Sequence, residues 1–249
     1  LDGILQSGTK KQLQSQRLVF TGAEKCSSEV FERLDAVVPD AELFEGYGIT
    51  ECSPLVSLNT PEHNAPGTVG RVLPSIDYAV IDPEKDVRVE KGRQGILLVR
   101  GRSIFDGYLK EKATKGFVTF EDKTWYDTGD FVREDENRNL IFCGRRKRFI
   151  KLAGEMISLP AIETALKGAY SEDSGQGAGV AVETAGSDGH PEIVLFTTFE
   201  VDRQVVNSHL RKAGLSPLHN VRRIEMVEEI PLLGSGKTDY QSLKRLLAA

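Results

Sequence analysis

"RLVFTGAEKCSSEVFERLDAVVPDAELFEGYG" (residues 17–48) reads as strand, helix and strand in turn. "RLVF" (17–20) is short and apolar enough for a buried strand, and "TGAEKCSS" leads into the helical "EVFERLDAVV", with Ser27 or Ser28 as the expected N-cap. "AELFEGYG" (41–48) is a second strand that runs into glycines. Two strands joined by a helix pair in parallel, and ligands of such sheets bind beyond the carboxyl ends of the strands. "TGAEK" and "GYGITE" fall at those ends. Residues 1–60 are therefore expected to form an α/β unit with a site on its loops.

Beyond this unit the pattern changes. "TVGRVL" (68–73), "DYAVI" (77–81), "GILLVRG" (95–101), "WYDTGDFVRED" (125–135) and "LIFCG" (140–144) are short strands separated by turn residues, and "EDENRN" (134–139) looks like a hairpin loop. Residues 61–143 should be an antiparallel, barrel-like β subdomain. From residue 144 on, "LPAIETALKGA" (159–169) repeats apolar residues at helical spacing through Ile162, Ala165, Leu166 and Ala169. Strands "AGVAVE" and "EIVLFTTFE", a helix "RQVVNSHLRKAG" and a strand around "RIEMVEE" follow, with "YSEDSGQGAG" (170–179) as a loop. The expected class is α/β for 1–143 followed by a small α+β domain, 144–249.

The chain has 249 residues, and its charged fraction of 28% and hydrophobic fraction of 39% suit a water-soluble globular protein with real cores. No apolar run approaches the roughly 20 residues that cross a bilayer. Cys26, Cys52 and Cys143 are odd in number and far apart, which fits neither a disulfide framework nor metal-ligand spacing. They are expected to be reduced and mostly buried, in a cytoplasmic setting. A net charge of -5 argues against general nucleic-acid affinity. The chain starts at Leu1 and its first methionine is Met156, so a piece of a longer protein is expected.

Four stretches set polar, glycine-flanked residues beside strand ends. In "EGYGITE" (45–51) the glycines around Tyr47 would admit a ligand to the backbone, leaving the ring as a stacking surface, Thr50 as a hydroxyl and Glu51 as a carboxylate suited to magnesium. The same residues also suit a tight turn with a core tyrosine. In "YDTGD" (126–130) Asp130 can accept two hydrogen bonds from a vicinal diol, or make an Asx turn. "GRRKRFIKLAGEMIS" (144–158) continues a basic run into an apolar strand and glycine turn, which favours a structured joint. "PLLGSGKTDY" (231–240) ends like a phosphate loop, but Pro231 stands where that loop needs its first glycine, and a dozen residues after Lys237 leave no room for the strands such a fold requires.

Together these stretches resemble the adenylate-forming superfamily of acyl-CoA synthetases, luciferases and nonribosomal adenylation domains, over essentially the whole chain. "LFEGYGITECSP", "KRFIKLAGEMIS" and "PLLGSGKTDY" look most like the acyl-acyl carrier protein synthetase part of bacterial bifunctional 2-acylglycerophosphoethanolamine acyltransferases. The resemblance implies a partial large domain and a small mobile carboxyl-terminal domain that rotates between two half-reactions. A fatty acid attacks the α-phosphate of ATP, with Mg²⁺, to give acyl-AMP, and the thiol of acyl carrier protein or coenzyme A then displaces AMP.

On the matching positions, Gly22, Ala23 and Glu24 would line the adenine, with Glu45, Gly46, Tyr47 and Gly48 around it and Tyr47 stacked on it. Thr50 would contact phosphate, Glu51 would bind Mg²⁺, and Asp130 would hold the ribose with Arg145. Lys147 takes the hinge position, Lys151 and Gly154 the loop on the thiol's path, and Lys237 the mobile catalytic lysine. The family's Ser/Thr/Gly-rich phosphate loop is absent from these 249 residues, so the chain alone is expected to be inactive or nearly so. Any membrane association would come from the parent protein's other half. A non-catalytic module is the alternative, docking an acidic carrier protein through "LRK" (210–212) and "VRR" (221–223).

Overall fold

The computed structural model describes residues 1–23, 26, 28–109, 115–174, 179–186, 191–234 and 236–248, without the side chains of residues 28, 171–174 and 248. The chain divides into two compact units, Leu1–Cys143 and Gly144–Ala249.

The first unit opens with two short helices that the sequence reading did not anticipate, α1 (Asp2–Ser7) and α2 (Lys10–Leu13), the second closed by a capping box between Thr9 and Gln12. Strand β1 (Leu18–Thr21), helix α3 (Ser28–Val37) and strand β2 (Glu42–Gly48) follow, with β1 and β2 parallel from Leu18 opposite Glu42 to Thr21 opposite Glu45. Ser28 is the first residue inside α3 and so not its cap, while Ser27 lies outside the described residues. Leu34 of α3 and Val38 just after it pack with Leu5 and Leu43, which fixes the helix on the sheet.

The first sheet is completed by β3 (Leu55–Leu58), antiparallel to β2, and β4 (Arg71–Val72), antiparallel to β3. "TVGRVL" thus belongs to this sheet and not to the β subdomain, and only two of its residues are strand. Gly70 explains the shortening: its φ is +72° and a Cβ there would come within 2.0 Å of the Leu58 carbonyl carbon, so the chain must turn away at a glycine.

The second sheet contains β5 (Ile76–Asp82), β6 (Val87–Arg88), β7 (Gln94–Gly101), β8 (Phe117–Phe120), β9 (Lys123–Glu134) and β10 (Leu140–Arg145). Its order is β10-β9-β7-β5-β6, with β8 paired to β9. The path is open at β6 and β10, so the sheet curls without closing. Leu97 and Val99 of β7 pack with Tyr47, Val56, Tyr126, Val132 and Leu140, and each such fully buried aliphatic is worth about 1.5–3 kcal/mol.

In the second unit β11 (Phe149–Leu152) and β12 (Glu155–Ser158) form a hairpin whose two turn residues, Ala153 (φ +49°) and Gly154 (φ +84°), are both left-handed, as a tight hairpin requires. Helix α4 (Leu159–Ser174) runs further than its apolar repeat suggested, so the first half of "YSEDSGQGAG" is helical and not loop. Strands β13 (Val180–Ala185), β14 (Glu192–Thr197) and β15 (Arg223–Met226) form a mixed sheet, β13 antiparallel and β15 parallel to β14. Helix α5 (Arg203–Lys212) is capped by Asp202, whose carboxylate accepts the N–H groups of Gln204 and Val205. Helix α6 (Tyr240–Ala248) begins after Asp239, which accepts those of Gln241 and Ser242. Ile162, Leu166, Val182, Leu195, Val206 and Leu210 form the core between α4, α5 and the sheet.

All three cysteines are free thiols, but only Cys52 is buried; Cys26 and Cys143 are half-buried, against the expectation that most would be buried. Among the described residues no helix is long and apolar enough to cross a membrane.

Candidate active site

At the carboxyl end of β1, Gly22 and Ala23 are exposed, and Ala23 adopts a left-handed φ of +71°. A Cβ on Gly22 would lie 3.0 Å from the carbonyl oxygen of Gly46, so the two glycines let the strand ends close up. Glu24 lies outside the described residues. The glycines flanking Tyr47 also make room for the protein's own chain. A Cβ on Gly46 would meet Leu58 Cδ1 at 2.8 Å and one on Gly48 the Pro54 oxygen at 2.3 Å, so both let β3 and its approach close in on β2.

Glu45 is buried, and its carboxylate accepts the backbone N–H of Gly67 at 2.8 Å and of Cys26 at 3.3 Å. It braces the loop after β1 against the Gly67 turn, and its side chain is committed to that task. Asn59 reinforces the same corner by donating to the carbonyls of Glu45 and Thr68.

Tyr47 and Asp130, 83 residues apart, meet in a buried hydrogen bond in which the phenol donates to Asp130 Oδ2 at 2.5 Å. A β-bulge aims Asp130 there: the β7–β9 register shifts between Ile96 and Leu98, Thr128 donates to the Leu97 carbonyl at 2.8 Å, and Gly129 has φ +69°. The Asx contact in "YDTGD" is made by Asp127, whose Oδ1 accepts the Gly129 N–H at 2.8 Å, not by Asp130. The Tyr47 ring stacks at 5.8 Å on Phe142 of β10.

Thr50 and Glu51 follow on a single 3-10 turn. Thr50 is exposed; Glu51 is half-buried and accepts the Tyr108 hydroxyl at 2.5 Å. That hydroxyl lies 3.3 Å from the hydroxyl of Tyr126, whose phenol is pushed far above its ordinary range by burial, then by the Tyr108 bond and the Glu51 charge. Burial, helped by Glu51, likewise pushes the Cys52 thiol up to about 12, so it stays protonated and inert. Among the described residues there is no cluster of three or more potential metal ligands. A single carboxylate such as that of Glu51 is chemically suited to magnesium, a cation that usually keeps water and phosphate oxygens among its ligands.

In the second unit Arg145, Lys147 and Lys151 are exposed cations along residues 145–151, and Gly154 sits in the hairpin turn that follows. Lys237 is exposed on a turn closed by the Leu233 N–H donating to the Lys237 carbonyl at 2.7 Å and by the Leu232–Thr238 bridge. Behind that turn lies a cluster the sequence reading missed. Arg148 donates to Glu163 Oε1 at 2.8 Å, to Glu183 Oε2 at 2.9 Å and to the Val182 carbonyl at 2.8 Å. Tyr240 donates to Glu163 Oε2 at 2.7 Å, and its ring lies 3.6 Å from the Arg148 guanidinium. Burial, then the Glu163 charge, raises the Tyr240 phenol well above its ordinary range. By sequence alone Arg148 belongs to a basic run. The sequence signal for the cluster was Glu163 itself, an acid between Ile162 and Leu166 on an apolar helix stripe, where it must have a partner. Tyr108 and Tyr126 were missed as partners of Glu51; no spacing in the sequence links them.

The four sequence stretches thus fall two to each unit, and within the first unit the structure joins Gly22 to Gly46 and Tyr47 to Asp130. Residues 1–109 match the family model described as AMP-binding enzyme. The Delta-poly-L-ornithine synthetase of Acinetobacter baumannii (strain AB307-0294) is 30% identical over 241 residues, 92% of this chain and 18% of that protein. The 4-coumarate-CoA ligase 1 of Narcissus pseudonarcissus is 27% identical over 243 residues, 95% of this chain and 44% of that one. Among solved structures, the O-succinylbenzoate coenzyme A synthetase (MenE) of Bacillus subtilis, in complex with ATP and magnesium, shares the fold with a TM-score of 0.76 and 20% identity, over 98% of this chain and 49% of that one. The match to the AMP-binding enzyme family takes in residues 1–109, and the similarity to these relatives continues through the second unit. The chain spans less than half the length of each of these relatives.

Proposed function

We propose that the chain is part of an ATP-dependent, AMP-forming ligase that activates a fatty acid as acyl-AMP and passes the acyl group to the thiol of an acyl carrier protein. The observation that carries this reading is the Tyr47–Asp130 hydrogen bond beside the glycine-lined ends of β1 and β2. It supports a nucleoside site in which the tyrosine ring serves the base and Asp130 exchanges its phenol partner for the ribose diol, each charge-assisted bond being worth roughly 1.5–3 kcal/mol. Thr50 would meet phosphate, and Glu51, steadied by Tyr108, would hold Mg²⁺, which neutralises phosphate charge when bound. Arg145 would assist at the ribose. Lys147 would act as the hinge, and the turn at Lys151 and Gly154 would line the thiol's route.

Lys237 would stabilise the negative charge that builds as the carboxylate attacks the α-phosphate. A cation acting there works mainly in the transition state, so Lys237→Ala should lower acyl-AMP formation by about 10²–10³ while sparing thiol transfer from supplied acyl-AMP. Pyrophosphate–ATP exchange and single-turnover thiol transfer, measured on the whole protein that contains these residues, test both halves. Equal loss of the two half-reactions would remove Lys237 from this role, and no fatty-acid-dependent exchange in the unmodified protein would remove the ligase reading.

Coenzyme A is the second candidate thiol, favoured by the name of the 4-coumarate relative. For the carrier protein, Arg223 already faces Glu192 and Glu225, whereas Arg222 and, at the end of α5, Arg211 and Lys212 are exposed. Charge reversal at Arg211 and Lys212 should weaken a carrier protein as acceptor and leave coenzyme A unaffected.

A further inference from the structure

We infer that Tyr240, acting through Glu163 and Arg148, is a positioning residue for Lys237; this rests on the ligase reading above. The turn that carries Lys237 is closed by its own backbone, the Leu233 N–H donating to the Lys237 carbonyl and the Gly236 N–H to the Leu233 carbonyl, and adds little apolar packing to those bonds. Gly234 and Gly236 have open space where a side chain would be, Gly236 is left-handed at φ +83°, and both leucines of the turn, Leu232 and Leu233, are exposed. The turn joins the rest of the unit at its end, where the Asp239 N–H donates to the Pro231 carbonyl at 2.8 Å and the next residue, Tyr240, starts α6.

Tyr240 is fixed from two directions. Its hydroxyl donates to Glu163 on α4, and its ring lies against the guanidinium of Arg148. Glu163 is pinned in turn by the Val182 N–H at 2.7 Å, and Arg148 reaches Glu183 and the Val182 carbonyl on β13. Three residues past Lys237, the chain is therefore anchored to α4, to β13 and to the residue that follows Lys147.

Stability alone does not account for this arrangement. Burying ions costs desolvation that their attraction often fails to recover, and apolar replacements of whole buried clusters are often as stable or more so. What a charged, directional cluster adds is a fixed angle for the phenol, and hence for the start of α6. An error of about 1 Å in the position of a reacting cation can cost on the order of 10²-fold in rate, which is the scale of what such an anchor protects.

The test uses Tyr240→Phe, which keeps the ring over Arg148 and removes only the hydroxyl. In the whole protein, native-state trypsin cleavage after Lys237 should rise about fivefold, well beyond any rise after Lys151 that a modest loss of stability brings. An unchanged rate after Lys237, or an equal rise at both sites, overturns the inference. In the whole protein, turnover in pyrophosphate–ATP exchange should fall about tenfold, with the KM for ATP and thiol transfer from supplied acyl-AMP retained. Unchanged turnover, or parallel loss of both half-reactions, overturns it as well. Lys237→Ala in the same assay separates the two ideas: if that variant keeps full exchange, the role given to Lys237 fails, and the cleavage measurement still judges the anchor by itself.

Discussion

Both units bury carboxylates, and they satisfy them by different means. In the first unit Glu45 accepts two backbone N–H groups, and Asp130 accepts the Tyr47 phenol. In the second, Glu163 and Glu183 share the cation of Arg148, with Tyr240, Lys244 and the backbone of Val182 and Thr184 completing the cluster. A phenol is a neutral donor, which a diol can replace one for one at the same carboxylate oxygen. A compensated ion cluster offers no such exchange and resists rearrangement, because moving any member exposes the charge of the others. The contrast suits a first unit arranged to receive a ligand and a second arranged to hold a shape behind an exposed lysine.

Removing Arg148 puts this contrast under the greatest strain. With side chains 8% and 3% exposed, Glu163 and Glu183 would lose the cation they share, and breaking a buried pair from one side costs about 3–5 kcal/mol. Arg148→Met should therefore lower urea-unfolding stability by that amount, and the triple change Arg148→Met, Glu163→Leu, Glu183→Leu should recover most of it. A loss under about 1 kcal/mol for the single change would mean that the cluster is not the rigid element described here.

How far such features were legible in the sequence follows from the range of the forces that make them. The strand–helix–strand of 17–48, the α4 stripe and the strand and glycine turn that follow "GRRKR" are local patterns of polarity and turn chemistry, and all three stand in the structure, where the last gains a returning strand, β12. β3 was not legible: its four residues "LVSL" follow a proline, and they become a strand because Gly46 and Gly48 let them approach β2. Asp130 was singled out as a carboxylate beside a glycine, but its burial against Tyr47 depends on a bulge opposite Leu97, a register effect between distant segments. Arg148 illustrates the reverse case: three of its neighbours are cations, so charge counting put it on the surface, while the acids that bury it are 15 and 35 residues away.

The neutral-donor side of the contrast is sharpened by Glu45→Gln. The amide keeps the shape but offers only one acceptor to two N–H groups, so the stronger bond, from Gly67 at 2.8 Å, should survive and the Cys26 contact at 3.3 Å should be lost. One hydrogen bond to a charged acceptor exchanged for an amide misfit should cost about 1–2 kcal/mol in urea unfolding. The loss should appear locally as faster amide exchange at Cys26, with little change at Gly67. Equal loosening at both positions would mean that the charge of Glu45, and not its two acceptors, holds the corner.

The smallest effect concerns a carboxylate on the hairpin between β9 and β10, half-exposed and again served by neutral donors. Asp135 accepts the backbone N–H groups of Asn137 and Asn139 and the side-chain amide of Asn139, at 2.9, 2.7 and 2.9 Å. Burial pushes its carboxyl up, but the Asn139 and Asn137 hydrogen bonds more than offset this and hold it below the ordinary range. A carboxyl depressed in the folded state contributes stability that is fully present above its unfolded value, about 3.9, and fades as the pH falls through the lower folded value. Asp135→Ala should accordingly cost about 0.5–1.5 kcal/mol at neutral pH, discounted for solvent exposure. The gap to the unmodified protein should stay constant down to about pH 5 and close below about pH 4. A gap that widened in acid would show the carboxyl to be raised, which would reverse the sign assigned to these hydrogen bonds.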